Sequence, residues 1–235
     1  MAGIEHRGPD GSGVHVQPNG VLGHRRLAIM DPDGGAQPLY DETGTLAIVA
    51  NGEIYNFPGL RAGLIDHHAF RTTSDTEAVL HRFEDCGVDT PAGLKGMFAF
   101  AICGKDHLFL ARDPIGIKPL YYGSWKDPQG KEIMAFGSEM KPLAEWVDDL
   151  HEFPPGHYFD SREGFVRYYE VPTDPPVTRT TKDHIALVRR GVEEAVTSHM
   201  MSDVPVGAFL SGGLDSSIIA AIARRQVDEL HTFSV

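Results

Sequence analysis

Short apolar runs bounded by glycine, proline and asparagine dominate the chain as far as Glu170. Residues 14–17 and 21–26 read as paired strands around a Pro18-Asn19-Gly20 turn. Residues 46–50 are continuously apolar, as in a buried strand, and Asn51-Gly52 predicts that this strand ends in a turn. Residues 75–85 differ. Ala78, Val79 and Phe83 recur at helical spacing, and Gly87 supplies a stop. Further strands are expected at 97–103, 108–111, 120–122, 133–136, 158–159 and 165–169. Asp113-Pro114 opens a turn, and Ser138 is placed to cap a short helix.

The pattern changes at residues 171–183, VPTDPPVTRTTKD, where prolines and threonines replace apolar residues and predict a linker. Beyond it, 184–200 has Ile185, Val188, Val192 and Val196 on one helical side. A strand at 204–210, a helix at 216–225 and a strand at 230–235 make a β-α-β order, the start of a parallel sheet. Such a sheet needs more strands and covering helices, so this second domain is expected to be incomplete. The expected organisation is thus a domain at 1–170, a linker at 171–183 and the beginning of another domain at 184–235.

Composition narrows the function. With 33 acidic against 21 basic residues, the net charge of −12 argues against a surface built for nucleic acid or for an anionic membrane. No apolar run reaches the length of a membrane span, and the first residues carry no apolar signal region, which makes a soluble, cytoplasmic protein the expectation. Cys86 and Cys103 show no metal or redox spacing and read as reduced, structural thiols. The 12 histidines include no HxxH or HExxH pair, so solvated or core histidines are expected.

The sharpest local motif is Ser211-Gly212-Gly213-Leu214-Asp215-Ser216-Ser217, between an apolar strand and an apolar helix. Two glycines allow close backbone approach, and the following helix turns free N–H groups and its positive end toward that place. The serines add hydroxyls. This is a pyrophosphate cradle without a Walker lysine, and Asp215 suits a bridging magnesium ion. The rival reading is a tight turn with Asp215 as helix N-cap. Upstream, the Arg26 guanidinium suits a carboxylate. Asn51 and the adjacent backbone N–H of Gly52 are the two donors of an oxyanion hole. Asp75, at a helix start, suits an α-ammonium group. Each has a plainer rival: a surface charge, a hairpin turn and a helix cap.

The motifs appear together and in order: HRGPDGSG (6–13), LGHRRLAIMD (22–31), GAQPLY (35–40), NGEIYNF (51–57), TSDTEAVL (73–80), GMFAFAI (96–102), ARDPIGIKPLYY (111–122), FGSEMKPL (136–143), FPPGHYF (153–159) and SDVPVGAFLSGGLDSS (202–217). As a set they resemble the glutamine-hydrolysing asparagine synthetases, class II glutamine amidotransferases, over nearly the whole chain. The resemblance implies an α+β N-terminal-nucleophile glutaminase domain, an αββα sandwich of two antiparallel sheets, followed by an α/β ATP-pyrophosphatase-like parallel-sheet domain. It implies a carbon–nitrogen ligase in which glutamine is hydrolysed in the first domain. The ammonia then reaches a second domain, where ATP and Mg2+ convert aspartate to β-aspartyl-AMP and so to asparagine. The implied glutamine contacts are Arg26, Leu27, Ile29, Met30, Asn51, Gly52, Glu53 and Asp75. The implied ATP contacts are Leu210, Ser211, Gly212, Gly213, Asp215, Ser216 and Val235. Partners would be glutamine, aspartate and ATP, with no nucleic acid and no membrane; a homodimer is left open. Other amide-forming relatives with a different acceptor, and a non-catalytic glutamine- or nucleotide-binding module, are the alternatives.

The chain departs from the family at its start. The family nucleophile is a cysteine at the mature N-terminus, activated by its own α-amine. Here Met1-Ala2-Gly3-Ile4 runs almost directly into HRGPDG. Either a Cys-to-Ala exchange accompanies a deletion, or the recorded start lies inside a helix that follows the first strand; the second is the expectation. Neither Cys86 nor Cys103 offers a terminal α-amine, so this fragment is expected to be inactive as a glutaminase.

Overall fold

The computed structural model describes residues 1–18, 20–173 and 179–234. The chain divides into two compact units, Met1–Val171 and Pro172–Val235.

In the first unit a 3-10 turn at Ala2–Arg7 precedes the hairpin β1 (Gly11–Gln17) and β2 (Gly20–Arg26), paired antiparallel from Gly11↔Arg26 to Gln17↔Gly20. Then come β3 (Leu39–Tyr40), β4 (Ala47–Ile54), α1 (Phe57–Leu64), α2 (Asp75–Cys86), β5 (Gly96–Gly104), β6 (His107–Arg112), β7 (Tyr121–Lys126), β8 (Glu132–Gly137), α3 (Met140–Leu143), β9 (Asp149–Glu152), β10 (His157–Asp160) and β11 (Gly164–Arg167). A six-stranded sheet has the order β11-β10-β6-β5-β4-β3, and its pairs are antiparallel. A three-stranded antiparallel sheet, β8-β7-β9, and the β1-β2 hairpin complete the strands.

One side of the six-stranded sheet meets the second strand layer. Leu22, Leu120 and Phe153 pack there with Val49, Ala99, Ala101 and Leu110, and Tyr122, Met134 and Phe136 close the edge. Helix α2 covers the other side, where the Phe83 ring lies 4.9 Å from that of Phe109. Both faces of β5 are therefore covered, and seven consecutive residues of it are buried. This is the layered antiparallel α+β architecture expected for the first domain. Among the described residues its outer helical layer is reduced to α3 and the 3-10 turn.

Several expectations are corrected. The strand expected to stop at Asn51-Gly52 continues to Ile54, because β5 pairs with it in unbroken register from Ala47↔Cys103 to Ile54↔Gly96. Ser138 does not cap α3; Glu139 occupies the N-cap, without a side-chain cap bond. β9 was not expected, and neither was α1, whose Pro58, Gly59 and Gly63 mask a helix that starts with proline in its first turn. Strand β11 ends before Tyr168 and Tyr169, whose N–H groups both reach the Gly156 carbonyl. The Pro18-Asn19-Gly20 turn includes Asn19, which lies outside the described residues.

In the second unit α4 (Thr181–His199) begins inside the stretch expected to be linker. Thr180 and Asp183 form a reciprocal capping box, and that local pair overrides the composition. Its apolar side is open at Ile185 and Val188. Strand β12 (Gly207–Phe209) and strand β13 (His231–Phe233) are shorter than expected, and helix α5 (Leu214–Ala223) between them has the expected length but starts two residues earlier. β12 and β13 pair in parallel, as the β-α-β pattern predicts. Among the described residues no helix is long and apolar enough to cross a membrane.

The pairing of β6 with β10 includes a titratable contact. Asp160 is buried; it accepts from the Arg162 N–H at 2.7 Å and faces His107 Nε2 at 2.6 Å. Burial alone would raise its pKa, but the Arg162 N–H and the His107 ring outweigh it and hold the carboxyl below its usual range. A depressed folded pKa gives stability that is present above the ordinary aspartate value of about 3.9 and is lost as pH falls through the folded value. Asp160→Asn is expected to lower the melting temperature at neutral pH and to make its decline below that value shallower; parallel slopes in a thermal-melt pH series would contradict this.

Candidate active-site cleft

A cleft of about 300 Å³ opens in the first unit, at the lower end of small-molecule sites. It is built on one edge of β4. Beyond Ile48, which pairs with Leu39, that edge has no strand neighbour among the described residues. Three of its outward backbone groups are instead taken by side chains. Gln37 Oε1 accepts from Ala50 N–H at 2.6 Å, His24 Nε2 lies 3.0 Å from the Ala50 carbonyl, and Asp75 Oδ2 accepts from Ile54 N–H at 2.7 Å. Strand period places the Gly52 N–H on the same side, between these two donors. Gly52 is required there. A Cβ would sit 2.2 Å from the Met97 carbonyl oxygen and 2.7 Å from Phe98 Cα on β5.

All eight residues that sequence reasoning assigned to glutamine line this one cleft: Arg26, Leu27, Ile29, Met30, Asn51, Gly52, Glu53 and Asp75. They come from the end of β2 and the segment after it, from β4 and from the start of α2. The Arg26 guanidinium is no free surface charge. It donates to the carbonyls of Met30 (3.0 Å), Asp31 (2.6 Å) and Pro32 (2.9 Å), so it shapes the segment that carries Leu27, Ile29 and Met30. Asp31 holds a left-handed φ of 47° and accepts from Gly34 N–H and Thr73 N–H, at 2.9 and 2.8 Å. It thereby ties this segment to the approach of α2. Asp75 is buried but does not cap α2; Ser74 does, accepting from Thr76 N–H. The Asp75 carboxylate thus braces β4 and faces the cleft.

Sequence reasoning missed other lining residues: His24, Gln37 and Lys118. Burial, with the Arg26 charge beside it, pushes the His24 pKa down against the effect of its bond to Ala50. Burial also lowers that of Lys118. The Lys118 loop is held by Asp113, fully buried, which accepts from the N–H groups of Phe98, Ile115, Ile117 and Lys118. Arg112 grips the same loop through the Gly116 and Lys118 carbonyls. In the sequence these residues stand together in ARDPIGIKPLYY (111–122), where only the Asp113-Pro114 turn points to a structural role. Cys86 and Cys103 are not among the residues lining the cleft.

In the second unit the loop between β12 and α5 carries Leu210, Ser211, Gly212 and Gly213, and Asp215 and Ser216 follow in the first turn of α5. Gly212 has φ 80°, and the Ser211 and Ser216 hydroxyls lie 3.0 Å apart. The N-cap of α5 is Gly213, with no side-chain cap, so the reading of Asp215 as N-cap is corrected. Asp215 stands exposed in the first turn, free of any capping duty. Val235 lies outside the described residues.

Comparison with known proteins matches residues 1–159 to the glutamine amidotransferase domain and residues 187–235 to asparagine synthase. A probable glutamine-hydrolysing asparagine synthetase of Dictyostelium discoideum is 43% identical over 96% of this chain and 42% of its own length. Asparagine synthetase 3 of Arabidopsis thaliana is 43% identical over 99% of this chain, and asparagine synthetase B of Escherichia coli 42% over 99%. The chain therefore spans less than half the length of these relatives. The fold is shared with glutamine phosphoribosylpyrophosphate amidotransferase of B. subtilis, at a TM-score of 0.58 and 21% identity over 99% of this chain and 61% of that one.

Gly52→Ala is expected to destabilise the first unit by roughly 1–3 kcal/mol, the cost of overpacking against backbone that cannot yield. A denaturant midpoint equal to that of the unmodified chain would show that β4 and β5 tolerate the extra methyl.

Proposed function

Because the chain belongs to the glutamine amidotransferase domain family, we propose that its cleft receives glutamine and that the whole protein transfers the amide nitrogen to aspartate in an ATP-dependent synthesis of asparagine. The observation that carries this reading is the convergence of an outward Gly52 N–H, Asn51, the Arg26 segment and the Asp75 carboxylate on one cleft. Asn51 and the Gly52 N–H would stabilise the oxyanion formed when the glutamine amide is attacked. Asp75 would hold the α-ammonium group. The Arg26 N–H groups not engaged with carbonyls 30–32 would hold the α-carboxylate, with Leu27, Ile29, Met30 and Glu53 shaping the surrounding wall.

The β12–α5 loop is assigned to ATP. Backbone N–H groups at the α5 start, with the Ser211 and Ser216 hydroxyls, form a donor set suited to pyrophosphate. Leu210, Gly212 and Gly213 shape its backbone, and Val235 belongs to the same assignment. The Asp215 carboxylate would hold magnesium, which neutralises phosphate charge when bound. A cytoplasmic enzyme of small molecules, without nucleic-acid or membrane partners and with a homodimer left open, completes the reading, in keeping with a net charge of −12. The residue ranges 1–170 and 184–235 are proposed as the glutaminase and synthetase parts.

Asp75→Asn keeps an acceptor for the Ile54 N–H and removes the charge. Glutamine affinity is expected to fall by roughly 1.5–3 kcal/mol, the weight of a charge-assisted hydrogen bond, with little change in melting temperature; unchanged calorimetric affinity would remove Asp75 from the site.

Asp215→Asn in the full-length protein tests the second part. Ammonia as nitrogen donor bypasses the glutamine cleft. If Asp215 holds magnesium, asparagine formation should collapse with ammonia as well as with glutamine while the melting temperature stays near normal. Near-normal ammonia-dependent synthesis would reduce the loop to a turn.

A further inference from the structure

Away from the cleft, four side chains from three segments converge on one point. Glu42 lies in the turn between β3 and β4, His68 in the loop after α1, and His81 and Glu84 one turn apart on α2. One ligand atom from each lies within 4.8 Å of every other. His68 Nδ1 is 3.1 Å from Glu42 Oε1 and 3.5 Å from Glu84 Oε2. His81 Nδ1 is 2.7 Å from Glu84 Oε2 and 3.7 Å from Glu42 Oε2. An ion with bonds of about 2.0–2.2 Å to four tetrahedral N and O ligands separates them by roughly 3.3 Å, a spacing within the spread of these contacts.

The far sides of both rings are also arranged. His68 Nε2 lies 3.1 Å from Asp85 Oδ1, and His81 Nε2 lies 3.7 Å from Glu77 Oε1. A metal-bound imidazole typically donates its other N–H to a carboxylate, which fixes the tautomer and strengthens the ligand. His68 meets this pattern through Asp85, while His81 Nε2 faces Glu77 from beyond hydrogen-bond distance, and both rings turn Nδ1 inward. Four carboxylates surround two imidazoles, an excess of negative charge that a divalent cation offsets. The His81 side chain is 1% exposed and that of His68 10%. The setting is thus sheltered rather than a solvated face.

We propose that Glu42, His68, His81 and Glu84 form a structural site for a divalent transition metal of the zinc class. Two imidazoles and two carboxylates suit such an ion better than magnesium or calcium, which prefer oxygen alone. Four protein ligands close the coordination sphere, so the ion supports the fold rather than a reaction. The rings now stack, with centroids 4.6 Å apart and planes 22° from parallel. Coordination by both widens that tilt, and His68, nearer solvent, is the ring that turns. The ion would clamp the β3–β4 turn and the 65–73 loop to α2. Glu77 already holds that loop through the Arg71 and Thr72 N–H groups at 2.8 and 2.7 Å, just ahead of Thr73 and Asp75.

The test uses the tag-free 235-residue chain, stripped with a chelator and titrated with Zn2+ alone. The proposal expects retention of one equivalent after desalting and a higher melting temperature on zinc addition. It also expects absorption bands of tetrahedral N/O ligation when Co2+ replaces Zn2+. His68→Gln and Glu84→Gln, both at the outer side of the cluster, should retain at least tenfold less zinc. His67→Gln, the adjacent exposed histidine, should retain it fully. Failure of the unmodified chain to hold zinc, or equal retention by all three variants, would overturn the site and leave the cluster as a set of hydrogen-bonded ion pairs.

Discussion

The unbroken pairing of β4 with β5 is the constraint on which the first unit depends. It carries β4 past Asn51-Gly52 to Ile54 and requires a bare Cα at position 52. A strand held so firmly on one side presents a rigid row of backbone groups on the other. The Ala50 and Ile54 N–H groups and the Ala50 carbonyl meet Gln37, Asp75 and His24, which arrive from separate parts of the chain. The cleft is the space these arrivals enclose. Its geometry is set by a sheet interior rather than by a surface loop, which suits a site that must hold donors at fixed positions.

Buried carboxylates do much of the remaining positioning. Asp113 gathers four backbone N–H groups around the Lys118 loop, Asp75 ties α2 to β4, and Glu77 holds the loop before α2. A carboxylate has several acceptor positions and no donor, so one side chain can satisfy many orphan N–H groups where the backbone turns too sharply to pair with itself.

The central strands were legible because their apolar runs are bounded by turn residues and buried on both faces. Asn51-Gly52 misled because the dipeptide that favours hairpin turns also suits a strand whose backbone must meet its neighbour closely; only the register with β5 separates the two uses. Helix α1 was hidden by Pro58, Gly59 and Gly63, whose low propensity is overridden by burial of Phe57 and Leu64. All eight residues expected to meet glutamine line the cleft, since each sits in a motif. His24, Gln37 and Lys118 lie in motifs of the same set, but their roles at the cleft depend on tertiary contacts that no local pattern records. The same holds for Glu42, His68, His81 and Glu84, scattered over three segments with no metal-ligand spacing between them.

The side chains that fill the open edge of β4 have one more effect. A strand with unpaired N–H and C=O groups is a template for another chain, and apolar strands such as β4 are the most hazardous templates. Gln37, His24 and Asp75 occupy the outward groups of Ala50 and Ile54, so an incoming strand would have to break these bonds before it could add one of its own. Weakening any of them would then promote association between molecules as well as disturb the cleft, with loss of solubility accompanying loss of binding.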